Sequence, residues 1–229
     1  ENFFCYRHYI GYHFLDLYEM ELLEGRAFSP AHPIDSTGSY LLNESAVAAS
    51  INKSHCNEKY LPGVALPSTI WATTNQQRAA QADELFIAVP VPYLRESLTP
   101  FRGLITREHL LVALCKGIER TSGRLPLEII GEAVGVCQMG VVGGPNFAAD
   151  LTERKIMGTM AASSSAQAVH RIFELLNNEY VKVTTSDDAI GVQLCGALKN
   201  VIALNIGIIT GQGAADNTRA YMLTQGIAD

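Results

Sequence analysis

No two of the five cysteines (Cys5, Cys56, Cys115, Cys137, Cys195) stand in a Cys-x-x-Cys pair, and their number is odd. Neither a zinc site nor a disulfide framework fits that scatter, which points to a reducing compartment and to thiols used as small apolar side chains. Nowhere does the chain carry a run of lysine and arginine, and 17 basic against 23 acidic residues leave a formal net charge of -6. That excludes a nucleic-acid scaffold, because a phosphate backbone is met by a basic patch. His8, His13 and His32 do not fall at a ligand spacing with a carboxylate, so no metal site is expected. No Ser-His-Asp or Cys-His set offers a nucleophile. An initiator methionine, a basic n-region and a cleavable apolar segment are missing too, so no targeting peptide is visible, and the start at Glu1 reads as a piece of something longer. Finally, there is no Gly-x-Gly-x-x-Gly phosphate loop; Gly211-Gln212-Gly213 follows no strand and reads as the end of a helix.

What is present is a globular composition, 48% hydrophobic and 17% charged, in 229 residues, enough for one large or two small domains. The most distinctive stretch runs from Ala189 to Gly213. It is apolar, rich in small residues, and its one formal charge is Lys199. On a helix the neighbours of Lys199 one turn away are Cys195, Gly196, Ile202 and Ala203, none of them a carboxylate. Three readings follow. A membrane span is a poor fit, since Gln193, Lys199, Asn200 and Asn205 interrupt it. A core helix with a snorkelling lysine fits the pattern, and so does a desolvated lysine acting as a proton acceptor.

Residues 1–50 differ from the rest, with seven aromatics crowded between Asn2 and Tyr18 and a loop marked by Pro30, Pro33, Ser36 and Gly38. Tyr40 to Leu42 reads as a short strand, and Asn43 as the N-cap of a helix through Ala49. From Ile51 short strands and helices alternate. Strands are expected at Ile70–Thr73, Leu85–Val89, Leu110–Cys115, Val136–Val142, Ile156–Ala162 and Tyr180–Thr184. Helices are expected at Tyr93–Leu98, Pro126–Val134, Phe147–Arg154 and Ala166–Asn177, the last with Val169, Ile172, Phe173 and Leu176 at the helical period. Such alternation predicts an α/β fold with a parallel sheet, and the text after Asp188 turns all-helical. In an open α/β sheet ligands gather at the carboxyl ends of strands. Lys116, directly after a buried strand, therefore sits where an anion would be held, or is a surface-loop lysine. The Gly143-Gly144-Pro145-Asn146 turn likewise follows a strand; its glycines allow close backbone approach to a ligand, or simply make a turn. Asp187-Asp188 is read as an acidic pair at a helix N-terminus.

Two resemblances attach to these residues. The run from Met20 to Val47 (MELLEGRAFSPAHPIDSTGSYLLNESAV) resembles the periplasmic core of macrolide-exporter-type ABC transporter permeases, over about residues 10–49. From about Ile51 to Asp229 the chain resembles bacterial NAD(P)-dependent glycerol-3-phosphate dehydrogenase. The matching text is NEKYLPGVALP at Asn57 to Pro67, IAVP at Ile87 to Pro90, KGIE at Lys116 to Glu119 and GPNFA at Gly144 to Ala148. It continues with SDDAIG at Ser186 to Gly191, GALKNVIA at Gly196 to Ala203 and DNTRAYMLTQGIAD at Asp216 to Asp229. Together the two resemblances imply three parts: a permease-like segment at 1–50, a partial Rossmann-like dinucleotide-binding domain at 51–186, and the start of an all-α substrate domain at 187–229.

It also implies roles. Lys199 would be the catalytic base that takes the carbinol proton of glycerol 3-phosphate, Lys116 a contact shared by substrate and cofactor, Gly144 and Asn146 substrate contacts, and Ala148 a cofactor contact. The cofactor would be NAD or NADP, the partner a small phosphorylated substrate with no nucleic acid and no membrane for 51–229, and the place cytoplasmic; a homodimer is left open. Three departures accompany the resemblance. The family's opening strand, Gly-x-Gly-x-x-Gly loop and helix are replaced by the permease-like segment. The family continues beyond Asp229 into further glycerol-phosphate-binding text. Lys155-Ile156-Met157-Gly158 stands where the family usually has a proline. A splice near Ser50 and Ile51 is therefore expected, with the sheet compromised where the first strand belongs. Catalysis by this chain alone is then not expected, and a non-enzymatic interaction module is the competing reading.

Overall fold

The fold was analysed as a computed structural model that describes residues 3–6, 38–42, 45–57, 61–146, 151 and 153–228. In chain order come β1 (Phe3–Tyr6), β2 (Gly38–Leu42), α1 (Ser45–Ser54), a hairpin of β3 (Cys56–Asn57) and β4 (Leu61–Ala65), β5 (Ile70–Thr73) and α2 (Gln76–Ala79). Then follow β6 (Glu84–Ile87), α3 (Val91–Leu98), β7 (Leu110–Ala113), α4 (Pro126–Val134), β8 (Gln138–Gly143) and β9 (Met157–Ala162). The described part closes with α5 (Ala166–Leu176), β10 (Val181–Ser186), α6 (Ala189–Gly211) and α7 (Asp216–Ala228). The helix expected at Phe147–Arg154 falls mostly on residues outside the described ones, as does the Asn43 cap.

Eight of the strands form one sheet in the order β10-β9-β8-β7-β6-β1-β2-β5. Its centre is built from residues whose chemistry leaves little choice. β6 and β7 are buried at all four positions, as central strands are when helices cover both faces, and all eight residues but Glu84 are apolar. β6, β7 and β8 run parallel, Ile87 beside Ala113 and Ala113 beside Val141. Around them lies the core of Phe86, Ile87, Phe101, Val112, Ile129 and Ile172, each at most 1% exposed.

The sheet is not all parallel, as the alternation had predicted. β9 pairs antiparallel to β8, with Gly143 opposite Met160, and β10 then runs parallel to β9. Strand periodicity is the same in either direction, so the sequence pattern could not distinguish the two. Nor is the place beside β6 left open. β1 fills it, antiparallel to β6 with Phe4 beside Ile87, and β2 continues the sheet on to β5. A strand of that direction delivers its carboxyl end to the opposite edge from those of β6, β7 and β8.

Helix ends follow local rules. Pro126 opens α4, and the Glu128 carboxylate accepts the Leu125 N–H at 2.8 Å. Ser165 caps α5 by accepting from Ala168, and Asp188 caps α6 by accepting from Gly191 at 2.8 Å. On α5 the buried face is Ala168, Ile172, Leu175 and Leu176, whereas Val169 and Phe173 only lean on the core.

Candidate active site

Two strands deliver the site, β7 and β8, at their carboxyl ends. After β7 the chain continues through Leu114 and Cys115, both buried, and emerges at Lys116. After β8 it turns at Gly144, whose φ of +145° suits a residue without a side chain. A Cβ there would lie 3.2 Å from the Gly158 carbonyl and from two atoms of Thr159. Lys116 Nζ spans the two strand ends and donates to the Gly144 carbonyl at 2.7 Å.

The third contributor is α6. Gly143 admits this helix, since a Cβ on it would sit 2.7 Å from Val192 Cγ1, and the Lys116 stem lies along Gly196. Gln193 locks the approach: buried, it donates to Ala189 O at 2.8 Å and accepts the Leu127 N–H of α4 at 2.9 Å. Lys199 is thereby brought into hydrogen-bonding contact with Lys116, residues 83 positions apart in sequence. A cavity of about 520 Å³ opens beside them, lined by Gly144, Pro145, Met160, Asp188, Cys195 and Lys199 among others.

Electrostatically, Lys116 is the perturbed member. Burial, and after it the charge and hydrogen bond of Lys199, bring its ammonium down to about 7. Desolvation of Lys199 by its own helical neighbours had been expected; of Cys195, Gly196, Ile202 and Ala203 only Gly196 is buried. The reason is that α6 packs by its first half: only Gln193 and Gly196 are buried in it, while Val201 is 64% and Leu204 67% exposed. By length and composition this helix could also cross a membrane; among the described residues it contacts the sheet, the Lys116 loop, α4 and α7.

The loop carrying Lys116 is clamped from outside. Arg95 of α3 grips Glu119 with two bonds, 3.0 and 2.8 Å, and reaches Glu132 of α4 at 2.8 Å. Arg95 first, and then Ser122, hold the Glu119 carboxyl down at about 2.

Of the residues singled out from sequence, Lys116, Gly144 and Lys199 meet at one point. Asn146 follows the turn, 2% exposed, with its Oδ1 lacking a hydrogen-bond partner. A buried carbonyl oxygen of that kind is costly unless something donates to it. Ala148 lies outside the described residues. Gln193 and Thr159 were missed. For Gln193 the signal was a polar residue in an apolar run, which sequence alone reads as an interruption; Thr159 drew no reading.

Residues 35–169 match the family model described as NAD-dependent glycerol-3-phosphate dehydrogenase N-terminus, and residues 188–229 the one described as its C-terminus. The chain belongs to this family. A Streptomyces griseus glycerol-3-phosphate dehydrogenase [NAD(P)+] is 36% identical over 186 residues, covering 80% of this chain and 55% of that one. The Corynebacterium diphtheriae counterpart is 38% identical, with 80% and 56% covered. Among solved structures, the glycerol-3-phosphate dehydrogenase of Coxiella burnetii superposes with a TM-score of 0.73 at 28% identity, covering 81% of this chain and 57% of that chain. The Saccharomyces cerevisiae enzyme gives 0.72 at 26% identity, with 80% and 55% covered. The chain thus spans about half the length of the curated relatives it matches. The family match reaches back to residue 35, so residues 35–50, expected to be part of a permease-like segment, lie within it together with β2 and the start of α1.

Proposed function

We propose that this chain carries the lysine centre of an NAD(P)-dependent glycerol-3-phosphate dehydrogenase, which interconverts glycerol 3-phosphate and dihydroxyacetone phosphate and so supplies glycerophospholipid synthesis. The observation that carries the reading is the contact of Lys116 and Lys199 over the Gly144 carbonyl, at the carboxyl ends of two parallel strands, in a chain of this family.

Burial, and after it the repulsion of Lys199, brings the Lys116 ammonium down to about 7, so near neutral pH its amine is neutral part of the time. A neutral amine in that pair is a base of suitable strength. Lys199 lines the cavity and Lys116 does not, which supports Lys199 as the residue that takes the carbinol proton. Lys116, bound to Gly144 O, supplies a hydrogen-bond donor at the strand ends for the phosphorylated substrate and for the cofactor. Gly144 offers backbone and Asn146 an unmet acceptor, both turned to substrate in this reading, and Ala148 completes the cofactor side. NAD or NADP, when bound, would accept the hydride from the carbinol carbon. The lysine centre fits that group; the pyrophosphate cradle does not, because no Gly-x-Gly-x-x-Gly run exists in the chain and β1 runs opposite to a strand that would lead into one.

Of the segment expected to be permease-like, 1–50, residues 35–50 fall inside the family match. Substrate, cofactor and a cytoplasmic setting all belong to this reading. So does a homodimer, which is supported by the outward Leu198, Val201, Leu204, Tyr221 and Leu223 of α6 and α7; sedimentation velocity yielding a single monomeric species across concentrations would remove it. The test of function is reduction of dihydroxyacetone phosphate with NADH and NADPH, by the chain and by a chimera given the flanking segments of the Streptomyces griseus relative. Activity in either should fall at least roughly a hundredfold on Lys199→Ala. Activity that survives the substitution overturns the assignment.

A further inference from the structure

Thr159 has no part in the roles assigned so far. It lies in β9, 6% exposed, next to the Gly143–Met160 pair that ends the β8–β9 ladder. Its Oγ1 donates to the Gly143 carbonyl at 2.8 Å. Its Cα and Oγ1, with the Gly158 carbonyl, also close the space in which a Gly144 side chain would stand, each 3.2 Å from that point. One residue therefore governs both members of the turn: the hydroxyl takes the first carbonyl, and the backbone packs beneath the second glycine. The peptide between Gly143 and Gly144 is planar, so fixing the Gly143 carbonyl orients the whole unit that enters Gly144. The next carbonyl along, that of Gly144, accepts Lys116 Nζ. A β-branched side chain held at one χ1 suits this task better than a flexible one.

We propose that Thr159 is a positioning residue for Lys116: through the Gly143–Gly144 turn it aims the carbonyl that keeps this lysine against Lys199. The proposal rests on the lysine pair being the site argued above. A threonine that merely fills space would contribute to stability and leave the lysine's surroundings unaltered. Among the groups that face Lys116 are Lys199 and Gly196 of α6 and the Gly144 carbonyl, and release from that carbonyl lets the ammonium move away from Lys199.

The test is competitive acetylation of the intact chain with acetic anhydride across a pH series, followed by mass spectrometry of the peptide that contains Lys116. It needs no catalytic activity. In the unaltered chain Lys116 should titrate near 7. Thr159→Val keeps the shape and removes the donor; the midpoint should rise by about two units toward that of a free lysine, and labelling at pH 8 should fall about tenfold. Thr159→Ser keeps the hydroxyl and should restore the original midpoint. Should Thr159→Val fail to fold by circular dichroism, Thr159→Ala is judged by the same criterion. A midpoint unmoved in the folded donor-less variant overturns the proposal while leaving the lysine pair intact. An ordinary lysine midpoint in the unaltered chain overturns the pair itself, and the positioning role with it.

Discussion

Lys116 makes the chain's stability depend on pH in a direction that can be stated. Its folded value, about 7, lies below the ordinary lysine value of 10.5. The unfolded chain therefore binds more protons between those limits, and stability from this group rises with pH across that window. Below about 7 the cost of a buried ammonium is fully present. Lys116→Met should accordingly stabilise the chain at pH 6, with the advantage shrinking as pH approaches 10. Urea unfolding at several pH values reads this directly, and an advantage constant in pH would contradict it. Both lysines stood out in the sequence, Lys199 by its uncharged surroundings and Lys116 by its place after a strand. Their contact did not, because it depends on how closely α6 approaches β8. Gln193, which fixes that approach, looked like an interruption of an apolar run. Gln193→Leu leaves the Leu127 N–H without its acceptor and should cost about 1–3 kcal/mol in denaturant unfolding.

Among elements, the inner strands and α4 were legible because short apolar runs between turn formers have few other uses. The direction of β9 was not, and neither was the shallow seating of α6, since an apolar helix carries no record of which side a neighbour covers. The two kinds of surface should respond differently to truncation. Ile172→Ala empties a fully buried site on α5 and should cost about 2–5 kcal/mol, whereas Leu204→Ala on exposed α6 should stay within about 0.5 kcal/mol. Equal losses in chemical denaturation would mean that α6 is covered in solution. The clamp on the Lys116 loop makes a further statement about pH. Glu119 is held at about 2, below its ordinary 4.5, so its contribution is present above 4.5 and lost as pH falls toward 2. In Glu119→Gln the acid-unfolding profile between those values should flatten.

The molecule as a whole is tied across its length by an ion pair. Glu84, at the start of β6 and 4% exposed, receives two bonds from Arg171 of α5. Arg171→Met should destabilise by about 3–5 kcal/mol, because a buried carboxylate loses its arginine; Glu84→Gln combined with it should recover part of the loss in the same unfolding assay. Family membership was visible in the chain because its motifs are turns and strand ends, where residue identity is constrained by backbone geometry. The sheet beside β6 was less visible. β1 has only four residues and no glycine signature, and β2 with α1 is only a short strand–helix unit.

The uneven seating of α6 has a temporal side. Its first turns are knit to β8 and α4 through Val192 and Gln193, while beyond Lys199 it leans on α7 near Ile202 and otherwise meets water. Amide hydrogens along this one helix should then exchange with deuterium at graded rates, slowest near Gln193 and fastest near Ile208, because opening of the far end breaks few apolar contacts. The lysine centre sits where that gradient begins.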